Sequence, residues 1–273
     1  PIEQRVDNPA HTWIKLKSPV QPSNPEDAVR NDLLRKDVLD DYVAWLNRHP
    51  GRRVDVAISP GDDNGTAALD YLIAENKPWL AYFQVSNTGT EETDKWRERF
   101  GLTHNQLTGN DDIFSIDYIT VSFDESHSLA ASYEAPVFDV EWLRWRIYGT
   151  AGEFTASEVG AADEELSGEE WTVGGELIAN IIQYRQLFVD LIAGVRWWDI
   201  FVDNETVGQK AREDFFLPHV GLQLQRVTDT ATTQAALSFE WNQTNVVDQD
   251  ADDMVILGRL NPDEDWVVMN WDF

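Results

Sequence analysis

From Trp79 to Phe273 apolar and polar positions alternate with a period of two, in one short segment after another. In Trp171 to Ile181 one face carries Trp171, Val173, Leu177, Ala179 and Ile181, and the other carries Thr172, Gly174, Glu176 and Asn180. A period of two belongs to strands whose two faces meet different environments. The pattern predicts strands at Trp79 to Ser86, Trp96 to Gln106, Ile113 to Phe123, Ser128 to Ala135, Leu143 to Phe154 and Trp171 to Gln183. It predicts further strands at Leu187 to Ile200, Phe215 to Arg226, Thr233 to Trp241, Val255 to Arg259 and Trp266 to Phe273. Such a run fits either a soluble sandwich or the wall of a membrane barrel.

Connections and segment lengths bear on that choice. Gly109 to Asp112, Ala135–Pro136, Gln183 to Arg185 and Thr228 to Thr230 are short, whereas Ser157 to Glu170, Asp203 to Asp214 and Asn242 to Asp253 are long and acidic. Short turns at one end and long loops at the other are the pattern of an up-and-down membrane barrel. Segments of about ten residues also suit a tilted span better than a soluble strand of about five or six. Nine tryptophans (Trp79, Trp96, Trp142, Trp171, Trp197, Trp198, Trp241, Trp266 and Trp271) mostly sit near segment ends, where an amphipathic ring meets headgroups.

Strand parity then predicts which residues face a lumen. Leu143, Trp145 and Ile147 oppose Arg144, Arg146 and Tyr148, and a lipid-facing Arg at mid-membrane costs about 2–4 kcal/mol. Val189, Leu191, Ala193, Val195 and Trp197 oppose Asp190, Gly194 and Arg196 in the same way. The candidate lumen-lining residues are therefore Asp117, Arg144, Arg146, Glu176, Asp190 and Arg196. A soluble sandwich reverses the assignment and turns those polar faces to water.

The first part of the chain has a different rhythm. Val38, Leu39, Tyr42, Val43 and Leu46 share a helical stripe that stops before Pro50–Gly51. Val54, Val56 and Ile58 alternate as a strand, Pro60 to Gly65 makes a turn, and Leu69, Tyr71 and Ile73 alternate again. With the apolar stretch Trp13 to Leu16, this predicts a small α/β module over residues 1–77, and strands from 78 to 273.

Composition narrows the function classes. The 49 acidic and 21 basic residues give a formal charge of -28, which repels phosphate backbones and argues against a nucleic-acid partner. Acidic loops leave room for weak binding of divalent cations. The segment from Asp248 begins like a calcium loop but has Asp253 where glycine is needed and Arg259 where glutamate is needed. With no cysteine there is no disulfide or thiol chemistry. His11, His49, His104, His127 and His219 lack metal-ligand spacing, and Ser157 and Ser167 lack a nucleophile elbow, so no catalytic site is predicted. A phosphate-binding Gly-x-x-x-x-Gly-Lys-Ser/Thr loop is likewise absent, and no cofactor is expected.

Particular residues carry a resemblance. Leu46 to Gly61, where a helix ending in Leu–Asn leads through Pro50 into a strand and a Pro–Gly turn, resembles the end of a polypeptide-transport-associated (POTRA) domain. Ser86 to Gly89, Trp96 to Gly101 and His104 to Asp112 resemble the first barrel strands of two-partner-secretion transporters, the hemolysin secretion/activation branch of the Omp85 superfamily. Leu187 to Asp190 and Phe216 to Pro218 continue the likeness.

That resemblance implies a mainly β fold, with a periplasmic POTRA-like module followed by antiparallel up-and-down transmembrane strands of an incomplete outer-membrane barrel. It also implies non-enzymatic export of a secreted polypeptide without nucleotide hydrolysis, with outer-membrane lipid around the wall. The family's inward-folded loop with an Arg–Gly tip has no counterpart here, and the opening Pro1 points to a trimmed chain. The expectation is a fragment whose barrel continues beyond Phe273. An Omp85-type assembly factor and a soluble acidic β-rich binding protein are the alternatives.

Overall fold

The computed structural model describes residues 2–7, 11–22, 34–61, 67–89, 95–123, 126–138, 140–159, 164–206, 208–228, 230–247, 249, 251–257 and 263–273. The chain divides into two compact units. One holds Pro1–Pro78 with Ile182–Phe188 and Gln225–Thr232, and the other holds the remainder.

The first unit is a three-stranded sheet with two helices. Strand β1 (Ile2–Val6) is followed by α1 (Trp13–Lys17), α2 (Lys36–Leu46), β2 (Arg52–Pro60) and β3 (Ala67–Glu75), in the sheet order β1-β3-β2. Strand β3 pairs antiparallel with β2 and parallel with β1. Sequence periodicity predicts α2, β2 and β3, whereas β1 is too short to show a pattern and Trp13 to Leu16 form a helix. The turn predicted at Pro60 to Gly65 lies largely outside the described residues.

Apolar side chains fill the module's centre: Ile14, Leu39, Leu46, Val54, Leu69 and Tyr71 are all buried. The Tyr71 hydroxyl donates to Ser18 Oγ at 2.6 Å and Tyr42 donates to the Ile14 carbonyl at 2.7 Å, so both buried phenols are satisfied. Burial pushes the Tyr71 phenol above its ordinary pKa, and the Ser18 contact offsets part of that. Asn47 ends α2 with a reciprocal clasp, its side chain donating to the Val54 carbonyl at 2.9 Å and accepting the Val54 amide at 2.6 Å. Within the same unit Asp41 accepts the Arg185 amide at 3.0 Å, and Arg48 lies 4.4 Å from the Phe188 ring centre.

The second unit is most of one ten-stranded sheet, whose Ile182–Phe188 and Gln225–Thr232 segments fall in the first unit. Its strands are β4 (Trp79–Asn87), β5 (Trp96–Asn105), β6 (Ile113–Val121), β7 (Ser126–Val137), β8 (Val140–Val159), β9 (Glu164–Tyr184), β10 (Leu187–Asn204), β11 (Gln209–Val227), β12 (Thr232–Trp241) and β13 (Val267–Asp272). Each neighbours the next in chain order, from β4 at one edge to β13 at the other. The registers from β4 to β9 and between β12 and β13 are antiparallel. This is the up-and-down wall of a partial β-barrel.

Two expectations need correction. The long loops expected at Ser157 to Glu170 and Asp203 to Asp214 are mostly strand, because β8 runs to Val159, β9 starts at Glu164, β10 runs to Asn204 and β11 starts at Gln209. Charged residues there hide the period of two without preventing pairing. Cross-strand ion pairs support the strands instead: Arg212 meets Asp199 through Nε at 2.8 Å and Nη2 at 3.0 Å, and Lys210 meets Asp203 at 2.5 Å. The strand expected at Val255 to Arg259 is replaced, where described, by the helix α3 (Ala251–Ile256), whose first turn holds Asp252 and Asp253 against the positive helix end.

Candidate functional site

Register decides which residues share a face. Across β6 to β9, Asp117 pairs with Ala130, Ala130 with Thr150, and Thr150 with Thr172, while Glu134 pairs with Arg146 and Arg146 with Glu176. Asp117, Glu134, Arg144, Arg146 and Glu176 therefore stand on one side. Contacts place residues of β10 to β12 there too. A Cβ added at Gly194 would stand 2.6 Å from Glu176 Cβ and 2.8 Å from His219 Cε1, and one added at Gly221 would stand 3.0 Å from Ser238 Cβ. By alternation Asp190 and Arg196 follow Gly194, and Glu240 follows Ser238. All six candidate residues lie on this face.

Their charges are largely engaged with one another. Arg144 Nε donates to Glu134 at 2.5 Å and Nη2 to the Asp111 carbonyl at 2.8 Å. Arg146 forms an ion pair with Glu176, and Glu176 also meets His219 Nε2 at 3.3 Å. Arg196 holds Glu240 in a fork of two 2.7 Å bonds, the planar geometry that guanidinium and carboxylate share. Asn180 donates to Asp190 at 2.7 Å. Arg99 Nε donates to Asp117 at 3.0 Å while its guanidinium lies 5.5 Å from the Tyr82 ring, and Tyr82 donates to Asp117 as well.

Glycines make room for these pairs. The Tyr82 ring covers Gly101 and the Tyr148 ring covers Gly174, where an added Cβ would approach within 2.5 Å. Only a residue without a side chain admits so close a ring.

The opposite face is apolar and exposed. Ile147, Val173, Leu177, Ile181, Val195, Leu222 and Phe239 are all large and exposed. A lateral row formed by Phe83, Phe100, Tyr118, Leu129, Ala151 and Trp171 is continuous through the registers of six strands. The next row toward the β5–β4 loop turns polar, with Glu98, Thr120, His127 and Glu153. From Trp171 to Ile181 the apolar side spans ten residues, about 33 Å along a strand and about 25 Å in height at a tilt of about 40°. That height matches the outward apolar band of a membrane barrel.

Two tryptophans depart from the expected belt. Trp198 lies on the charged face, 5.9 Å from the Arg196 guanidinium, and its ring stacks on Phe215 at 5.2 Å. Trp266 packs against the same Phe215 at 6.4 Å. Glu134, His219, Glu240, Arg99 and Tyr82 are site members that sequence reasoning missed. Alternation puts each on a polar face, but only inter-strand register shows which of them meet. Among the described residues no group of three or more His, Cys, Asp or Glu is arranged to hold a metal ion.

No protein-family model matches the sequence. Over 90 residues, 33% of this chain and 16% of the relative, it is 29% identical to the heme/hemopexin transporter protein HuxB of Haemophilus influenzae (strain 86-028NP). The fold is similar to CdiB from Escherichia coli, with a TM-score of 0.66 at 16% identity over 92% of this chain, and to CdiB from Acinetobacter baumannii, with 0.61 at 14% over 88%. It is also similar to BamA from Haemophilus ducreyi lacking POTRA domains 1-3, with 0.55 at 11% over 89%. The chain spans about half of each of these solved chains, 46%, 45% and 48% in turn. What these solved chains share with this one is the fold, a small α/β module followed by an up-and-down β-wall.

Proposed function

We propose that the chain is part of an outer-membrane transporter that exports a secreted partner polypeptide without nucleotide hydrolysis. One observation carries the reading: a single ten-stranded sheet has an exposed apolar face about as tall as a bilayer's hydrocarbon and a charged face of paired Arg, Glu and Asp. Lipid takes the first face and water the second. Asp117, Arg144, Arg146, Glu176, Asp190 and Arg196 then line a wet lumen, and because most are paired they keep it polar without holding a passing chain tightly.

Connectivity supplies the sides. Strand β4 follows the module directly, so its start and the β5–β6, β7–β8, β9–β10 and β11–β12 turns are periplasmic, and the alternate ends face outward. A periplasmic module recognises the partner by adding its extended segment to a sheet edge, β2 or β1 here. The local similarity to a named transporter supports export over catalysis.

A second reading, assembly of other barrels, draws on the likeness to BamA. Deletion of the gene separates the two. Loss of one secreted protein, with outer-membrane barrels unchanged, supports export, and a general loss of barrels supports assembly. Single cysteines at Arg146 and Glu176 of the full-length protein should react with a water-soluble maleimide, whereas one at Val173 should not. Labelling of Arg146→Cys from the lipid phase alone would overturn the lumen assignment.

A further inference from the structure

Glu176 of β9 is reached from two sides. Arg146 of β8 stands directly opposite and forms an ion pair with it. His219 comes from β11, two strands away, and its Nε2 lies 3.3 Å from Glu176 Oε2. Between them β10 presents Gly194, where an added Cβ would stand 2.6 Å from Glu176 Cβ and 2.8 Å from His219 Cε1. A side chain there would wedge the two apart, so glycine is what lets a carboxylate and an imidazole meet across a strand. The side chain of Glu176 is 5% exposed and that of His219 12%. His219 Nδ1 is buried with no hydrogen-bond partner among the described residues. A histidine placed for structure alone ordinarily has both nitrogens satisfied, whereas this one turns a single nitrogen to a carboxylate.

Charged and titratable groups reach the same place from every neighbouring strand. Arg146 and the Tyr148 phenol belong to β8, Glu176 to β9, Asp190 and Arg196 to β10, and Glu240 to β12, while Arg144 and Glu134 adjoin Arg146. Arg144, Arg146 and Arg196 therefore stand against Glu134, Glu176, Asp190 and Glu240. With a neutral His219 this stretch of wall carries one net negative charge, and with a protonated His219 it carries none. Imidazole is the side chain whose ordinary charge change falls between about pH 5 and pH 8. Its cationic form donates from both nitrogens, so a proton is added while the Nε2 contact with Glu176 is kept.

We infer that His219 is a specificity-determining residue of the path, setting its ion preference through its own protonation. Neutral, it leaves the wall beside Glu176 net negative, which favours cations; protonated, it cancels that charge and the preference falls. The inference deepens, and rests on, the reading of the charged face as a wet path.

Reversal potentials of the full-length protein in planar bilayers, under a potassium chloride gradient, test this without any partner polypeptide. From about pH 8 to about pH 5 the cation-to-anion permeability ratio of the parent should fall about twofold, the size expected for one unit charge felt through water across a lumen. His219→Gln should hold the high-pH ratio throughout, and His219→Lys should hold the low-pH ratio throughout. A parent ratio that ignores pH, or a His219→Gln ratio that falls as the parent's does, would overturn the inference. If heat-dependent gel migration shows His219→Gln unfolded, His219→Lys decides, and a parent-like fall in it overturns the proposal. A folded protein that passes no ions overturns it too. Export is read separately, as partner polypeptide in the medium. A His219-dependent ratio in a protein that exports nothing keeps this inference and removes the transport reading, and export with a pH-independent ratio does the reverse.

Discussion

The small module and the large sheet use the same alternation and bury opposite sides of it. In the module, Leu69 and Tyr71 point into the centre, and the completely buried positions there are apolar. In the sheet the apolar side is exposed, and Thr172, Glu176, Asp190 and Glu213 are among the buried residues. Each pattern is stable in its own solvent. Water drives the first through burial of apolar area; on the outer-membrane reading proposed above, lipid leaves the sheet's apolar side chains at ease outside and penalises an unpaired charge there.

The strongest test of that contrast lies in the module. Tyr71→Ala removes a buried ring, its bond to Ser18 and its edge contact with Tyr42, and should cost about 3–5 kcal/mol. Limited proteolysis should then cut the first 78 residues while the barrel keeps its heat-dependent gel migration. Equal loss of both would mean that the two regions do not differ as argued.

Breaking the sheet's buried charges should come next. Glu176→Ala takes the carboxylate shared by Arg146 and His219, leaving Arg146 its 3.9 Å pair with Glu134, and should cost about 3 kcal/mol, the low end for a broken buried pair because Arg146 is partly exposed. Arg146→Met with Glu176→Leu should recover most of that in urea unfolding from lipid vesicles. If the double variant is as unstable as the single one, the charges matter for more than their mutual pairing.

A charge on the other face sharpens the assignment of solvent. Val173→Arg should cost about 2–4 kcal/mol in vesicles, with a smaller penalty for the same change at Ile181 near the band's edge. A penalty that ignores depth would argue against lipid on that face.

The smallest effect concerns the Gln106 to Asp112 turn. Burial disfavours the Asp112 charge, but the Thr108 hydroxyl at 2.8 Å, the Thr108 amide at 3.0 Å and the Asn110 amide at 3.3 Å outweigh it and hold the carboxyl below its ordinary pKa. A depressed folded-state pKa adds stability above the unfolded value of about 3.9, and that stability disappears as pH falls through the folded value. Hydrogen-exchange protection of the Thr108 amide should therefore drop with acid below about pH 4, and Asp112→Asn should remove the pH dependence. Protection that rises on acidification would refute the sign.

Much of this protein follows from residue order alone. Period-two alternation marks most strands of the wall, helical spacing marks α2, and parity puts Arg144, Arg146 and Glu176 opposite the apolar side chains, because each of these depends on neighbours along the chain. Where charge masked the alternation, as in the outer halves of β8 to β11, strand was mistaken for loop. Only the tertiary structure decided that Arg146 meets Glu176 and His219, that Arg196 grips Glu240, and that Trp198 and Trp266 leave the belt to close on Phe215. Those meetings depend on inter-strand register. Register is set by hydrogen bonds and packing between segments far apart in sequence, and local periodicity carries no record of it.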